Sequence, residues 1–227
     1  MGNNKYIIEK SFWYPLDASD VVLCFSGGRD SSCAALKLLD AKRNPLLITV
    51  IDSGIQDDTK TEQRVKELHN NVNSPFSWLS IRVPAFYAKV LGIPILTSPS
   101  CFNCFMVKLS VAIILAKKHS IDTIATGFTS YQSAWVEQSP TAIEEIENFL
   151  GEYGLKLELP VWNLESKEHA CRMLSEYSIT PRPLEPKCHC ADEGTKEHAR
   201  PEEIRSDFSK LIIPCRHFIN TSEEQIK

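Results

Sequence analysis

"VVLCFSGGRDSSCAALKLL", residues 21–39, is the stretch whose reading decides the fold. Five apolar residues, Val21 to Phe25, run into Ser26-Gly27-Gly28, and Arg29, Asp30, Ser31 and Ser32 then lead into an apolar-periodic segment. The apolar run reads as a strand, and Ala34, Ala35, Leu38 and Leu39 fall on one side of a helix over 31–42. Glycines at 27 and 28 leave no Cβ between main-chain amides and an approaching anion. The helix that follows aims its free N–H groups and positive dipole end at the same point. Ser26, Ser31 and Ser32 add hydroxyl donors. The turn therefore predicts a phosphate site. It is neither a Walker loop, which needs Gly-x-x-x-x-Gly-Lys-[Ser/Thr], nor the dinucleotide fingerprint Gly-x-Gly-x-x-Gly.

Outward from this turn, the chain alternates strands with helices. "LLITVI" (46–51) reads as a second buried strand, "WLSIRV" (78–83) as a third, "IDTIATG" (121–127) as a fourth, and "LKLELPVW" (155–162) contains a fifth. Helices are predicted over about 60–72 and 102–118. Ser139-Pro140 starts another, running to about 150, and Ser166 caps one whose Ala170, Cys171, Leu174 and Tyr177 face inward. This order predicts an α/β fold: a doubly wound, parallel, five-stranded sheet with helices on both faces. Ligands of such sheets lie beyond the carboxyl ends of the strands. Residues 1–186 are expected to form the domain, with 187–227 as a cysteine-containing extension packed on it.

Composition sets bounds. A chain of 227 residues that is 43% hydrophobic can bury a full core. A net charge of −4 supplies no global attraction for nucleic acid. The basic residues at 182, 187, 196, 200, 205, 210 and 216 are interleaved with Asp192, Glu193, Glu197, Glu202, Glu203 and Asp207, which reads as a solvated surface. Neither a signal-peptide pattern nor an apolar run of about 18 residues occurs, so a cytoplasmic protein without a membrane partner is expected. In such a setting the eight cysteines point to thiols, metal or catalysis rather than disulfides.

Ser26-Gly27-Gly28-Arg29-Asp30-Ser31, closing a first strand, resembles the PP-loop of the ATP pyrophosphatase superfamily, with its adenine nucleotide α-hydrolase-like fold. The resemblance in element order covers about residues 20–190. It implies cleavage of ATP between the α and β phosphates, adenylation of a substrate oxygen, and displacement of AMP by a nucleophile. It implies ATP-binding by Cys24, Phe25, Ser26, Gly27, Gly28, Arg29, Asp30, Ser31 and Ser32, by main chain at Val50 and Ile51, and by Asp52 and Gly127. An acidic Asp30 beside phosphates makes sense as a holder of Mg²⁺; as a first-turn residue it would equally complement the helix dipole. Phe128 stands where members of the superfamily usually carry a histidine.

Cys101 and Cys104, three apart at a helix start, share a face and could bind metal. A helix N-terminus also favours the thiolate. Cys188 and Cys190 lie in the Pro-rich "PRPLEPKCHC", where apolar packing needs no cysteine. In thiolation enzymes of the superfamily that resemble this chain, a Cys-x-x-Cys pair joins one later cysteine to hold an iron–sulfur cluster or to run persulfide chemistry. Cys188 and Cys190 are interchangeable in that role. Three thiols suit a [4Fe–4S] cluster with an open iron, whereas all four would suit structural Zn²⁺. His189 is not expected as a further ligand, since in an extended segment it would point away from its neighbours.

Cys24, Cys33 and Cys171 read as core residues, and Cys215 as core or as an additional ligand. Trp135, Glu137 and Gln138 follow the fourth strand, where they could contact a base or simply form a surface loop. The expected activity is ATP-dependent thiolation of a nucleobase, free or in tRNA, with a sulfur donor as partner and a homodimer as an open possibility. Two alternatives are a ligase of the same superfamily with ammonia as nucleophile, resembling 7-cyano-7-deazaguanine synthase, and a non-catalytic nucleotide sensor.

Overall fold

The computed structural model describes residues 7–12, 16–51, 58–97, 101–185 and 199–223. Among the described residues six strands form one sheet: β1 (Ile7–Phe12), β2 (Val21–Cys24), β3 (Pro45–Ile51), β4 (Ser77–Arg82), β5 (Thr123–Thr126) and β6 (Lys156–Glu158), in the spatial order β1-β4-β3-β2-β5-β6. Strands β2 to β6 are parallel, as the sequence pattern predicts, while β1 adds an antiparallel edge to β4 that the pattern does not reveal. The fifth parallel strand keeps only Lys156–Glu158 of the predicted run; the segment that follows it turns back on itself, with the Trp162 amide donating to the Leu159 carbonyl.

Seven helices cover the sheet among the described residues: α1 (Arg29–Asp40), α2 (Thr59–Asn71), α3 (Pro84–Leu91), α4 (Cys101–Lys118), α5 (Pro140–Gly151), α6 (Lys167–Glu176) and α7 (Pro201–Glu223). Side-chain alternation on β2 divides the core. Val21, Leu23 and Phe25 pack with α1, α2 and α6, while Val22 packs on the opposite face with α3, α4, α5 and α7. Because β2 and β3 are covered on both faces, they read as continuous apolar runs.

Local signals set the helix ends. The Ser139 hydroxyl accepts from the Ala142 amide at 3.2 Å ahead of Pro140, and the Ser166 hydroxyl accepts from the His169 amide at 3.2 Å. On α6 Ala170 and Leu174 are wholly buried as expected, but Cys171 and Tyr177 are only half-buried, and Met173 takes the remaining inward position.

The C-terminal stretch contains the long helix α7, which the sequence pattern does not reveal. Its Phe218 stacks on Phe86 of α3 with ring centroids 3.9 Å apart, and its Phe208 meets Phe102 of α4. Asp207, wholly buried, accepts from the Leu96 and Thr97 amides at 2.8 and 2.9 Å, pinning the approach to α4. The basic residues of α7 do lie outward: Arg205 pairs with Glu144 and Glu145, and Arg216 with Glu152.

Candidate functional site

From β2 the chain steps through β3 and β4 in one direction, then crosses back to β5 and β6 on the other side of β2. The order therefore reverses between β2 and β5, and a crevice at such a reversal is the ligand position of open α/β sheets. The residues that emerge there are Phe25 to Asp30 after β2 and Gly127 to Gln132 after β5.

Hydrogen bonds hold the glycine turn in shape. The Gly28 carbonyl accepts from the Ser32 amide at 3.1 Å, the Ser32 hydroxyl at 2.6 Å and the Ser31 hydroxyl at 3.2 Å. The Gly28 amide donates to the Ser26 hydroxyl at 3.1 Å, and the Ser26 and Ser31 hydroxyls lie 3.1 Å apart. Ser32 is wholly buried and serves the turn itself; Ser31 is also buried, and Ser26 is half-buried.

Each glycine answers to a neighbour. Gly27 has φ +78°, and a Cβ there would fall 2.7 Å from the Leu184 carbonyl oxygen. A Cβ on Gly28 would fall 2.6 Å from the Glu185 carboxylate. Residues 180–185 thus run across the turn, held by Leu184 N–H donating to the Gly27 carbonyl at 3.2 Å. Arg64 of α2, wholly buried, ties the two together. Its guanidinium donates to the Gly27 carbonyl at 3.4 Å, to the Thr180 carbonyl at 2.8 Å and to the Arg182 carbonyl at 2.5 Å, with Glu67 as its ion partner. Burial lowers its pKa from the usual arginine value. Sequence reasoning missed Arg64, although it shares the buried stripe of Thr61, Val65 and Leu68, where a cation needs a partner.

Asp30 is engaged on both oxygens. Tyr131 Oη donates to Oδ1 at 2.6 Å and Gln132 Nε2 to Oδ2 at 2.8 Å. Gln138 Nε2 donates in turn to Gln132 Oε1 at 2.7 Å, and the Thr129 amide donates to Gln138 Oε1 at 2.9 Å. Burial, followed by the bond to Asp30, pushes the Tyr131 hydroxyl well above its ordinary pKa. Gln138, a candidate base reader by sequence, is instead buried within this relay, and Trp135 is exposed.

On the sheet's other face, α4 presents Cys101, Cys104 and Lys108, each half-buried on a helix whose other positions from Phe102 to Ala116 are buried. Tyr87 Oη lies 2.8 Å from Cys104 Sγ. Lys108 is held above the usual lysine range, first by the Cys104 sulfur, against the cost of its burial, with Cys24 and Glu185 adding to the effect. Burial raises the Cys24 thiol to about 12 and holds the Glu137 carboxyl above its usual value. Lys108 went unnoticed in the sequence, although it stands four residues after Cys104 and so shares its helix face.

Val50 and Ile51, at the end of β3, are buried. Gly127 packs on the main chain of Asp30 and Ser31. Phe128 sits against Phe105, ring centroids 4.9 Å apart. Asp52, Cys188 and Cys190 lie outside the described residues. Cys33 and Cys215 are wholly buried, donating to the Ala170 and Met106 carbonyls respectively. Among the described residues no three metal-ligating side chains come together, and no helix is long and apolar enough to cross a membrane.

No family model and no curated protein matches the chain. Solved structures do. A 4-thiouridine synthetase in complex with RNA and bound ATP superposes with TM-score 0.60 at 16% identity, over 88% of this chain and 53% of that one. The chain thus spans about half the length of that synthetase. A predicted subunit of tRNA methyltransferase from Methanocaldococcus jannaschii (17% identity, 74% of this chain and 94% of that one) and an NMN synthetase from Francisella tularensis (13%, 92% and 87%) each give TM-score 0.47. The chain has the adenine nucleotide α-hydrolase-like fold.

Proposed function

We propose that the protein is an ATP pyrophosphatase-type enzyme that adenylates a carbonyl oxygen and then replaces that oxygen with sulfur, acting on a nucleobase that is free or in tRNA. One observation carries the nucleotide half. The glycine turn after β2 and Gly127 after β5 converge on the N-terminus of α1 at the point where strand order reverses. The donor set also fits a Mg²⁺-nucleotide in kind: main-chain amides free of Cβ atoms, the hydroxyls of Ser26 and Ser31, and the carboxylate of Asp30 on the first turn of α1.

In this reading the substrate oxygen attacks the α phosphorus and pyrophosphate leaves. Sulfur then attacks the activated carbon, the carbon–oxygen bond breaks, and AMP departs. The turn would hold phosphate, and Asp30 would hold Mg²⁺, which would offset charge on the pyrophosphate.

The sulfur half rests on Cys101 and Cys104 at the start of α4. Sulfur that ligates a cluster or carries sulfide is negatively charged, and Lys108 and Tyr87 beside Cys104 are placed to balance it. These two thiols fit two of the three ligands of a [4Fe–4S] cluster, whose open iron would accept sulfide. The third would be Cys188 or Cys190, and all four thiols would fit Zn²⁺ instead.

The engagement of Asp30 by Tyr131 and Gln132 favours one second reading, a non-catalytic nucleotide-binding module in which Asp30 anchors the loop. One experiment separates them. AMP and pyrophosphate are measured with ATP, Mg²⁺ and a panel of nucleobase acceptors, for the native chain and for Asp30→Ala. The enzyme reading requires release that Asp30→Ala abolishes; undiminished release removes the Mg²⁺ role of Asp30. Anaerobic iron, sulfide and zinc analysis, repeated on Cys101→Ala, tests the sulfur half.

A further inference from the structure

We propose that Tyr131 and Gln132 are positioning residues for Asp30, acting from the loop after β5 to set the carboxylate that receives the cation of a Mg²⁺-nucleotide. This rests on the nucleotide reading above and adds residues that the glycine turn does not contain. A carboxylate at a helix start can rotate about χ2, and each of its oxygens has two lone pairs. Here Tyr131 Oη takes one on Oδ1 at 2.6 Å, and Gln132 Nε2 takes one on Oδ2 at 2.8 Å. One site on each oxygen remains for a cation.

The donors are themselves held. Gln132 Oε1 accepts from Gln138 Nε2 at 2.7 Å, so its amide cannot flip without losing that bond. Gln138 is buried and fixed in turn by the Thr129 amide at 2.9 Å. Thr129 stands two residues after Gly127, which packs on Asp30 and Ser31. The relay therefore begins and ends at one crevice, and it spans the two strand ends between which the ligand would lie. Both donors are uncharged, so the loop orients Asp30 without adding like charge beside it.

The test measures binding rather than turnover. An α,β-methylene ATP analogue is titrated by calorimetry with Mg²⁺ and with EDTA, for the native chain, Tyr131→Phe, Gln132→Met and Asp30→Asn, with folding followed by circular dichroism. Hydrogen bonds to charged groups are strong enough that losing either donor should reduce the Mg²⁺-dependent gain in affinity by about tenfold. Affinity in EDTA should stay unchanged, a split that a merely structural loop would not produce. A gain that survives in both loop variants but vanishes in Asp30→Asn overturns the positioning role alone. A gain that survives in Asp30→Asn overturns the nucleotide reading of Asp30 itself.

Discussion

Gly127 and Ser31 stand so close that a Cβ on Gly127 would fall 2.6 Å from the Ser31 amide nitrogen and 2.7 Å from its Cα. The contact is backbone on backbone, so neither side can yield as a flexible side chain would. Gly127→Ala should force β5 and the start of α1 apart. A loss of about 1–3 kcal/mol in urea denaturation is expected, together with weaker binding of the ATP analogue in calorimetry. An unchanged midpoint would show that the strand end moves freely.

Arg64 joins the glycine turn to residues 180–182 from the interior. Arg64→Met keeps the bulk but removes the guanidinium that the Thr180 and Arg182 carbonyls accept from, and a destabilisation of about 3 kcal/mol is expected. Urea titration checks the value. A loss below 1 kcal/mol, read against the range for unpaired buried groups, would mean that water reaches the carbonyls.

The Glu185 carboxylate rests on Gly28, where phosphate is proposed to bind. Glu185→Gln should raise affinity for the triphosphate analogue by about threefold at low ionic strength, an advantage that salt removes. Calorimetry at two salt concentrations reads this directly. Equal affinities for both chains would show that the carboxylate swings clear when nucleotide arrives.

Cys33 and Cys215 are wholly buried, and burial raises both thiols from the ordinary value of 9.0 to about 12. A raised folded-state value means that the native chain holds protons which the unfolded chain gives up. Their contribution is complete below pH 9.0 and is lost as pH climbs toward 12. Each thiol should remove about 1.4 kcal/mol per pH unit across that window. Denaturation of the native chain against Cys33→Ala and Cys215→Ala, from neutral to alkaline pH, measures the slope. A steeper alkaline loss in the variants than in the native chain would contradict it.

The parallel sheet was legible in the sequence because buried strands such as Leu46–Ile51 and helical faces such as Ala34, Ala35, Leu38 and Leu39 are written in apolar spacing. The glycine turn was legible because Gly27 adopts a positive φ that few other residues tolerate. Strand β1 left little trace: it pairs at one edge, and "IIEKSF" carries charge within the run. Helix α7 was obscured by Pro214 in its interior and by charges between its apolar positions.

By itself the chain's order of residues determined a doubly wound sheet, a glycine turn after β2 and a thiol pair at the start of α4. These are local matters of spacing, backbone freedom and helix direction. Only the tertiary structure decided that Tyr131 and Gln132 would meet Asp30, that Arg64 would brace the turn, and that Lys108 and Tyr87 would stand beside Cys104. Those partners come from separate elements, about a hundred residues apart for Asp30 and its two donors. No periodicity encodes such meetings; they follow from which strand ends the sheet places side by side.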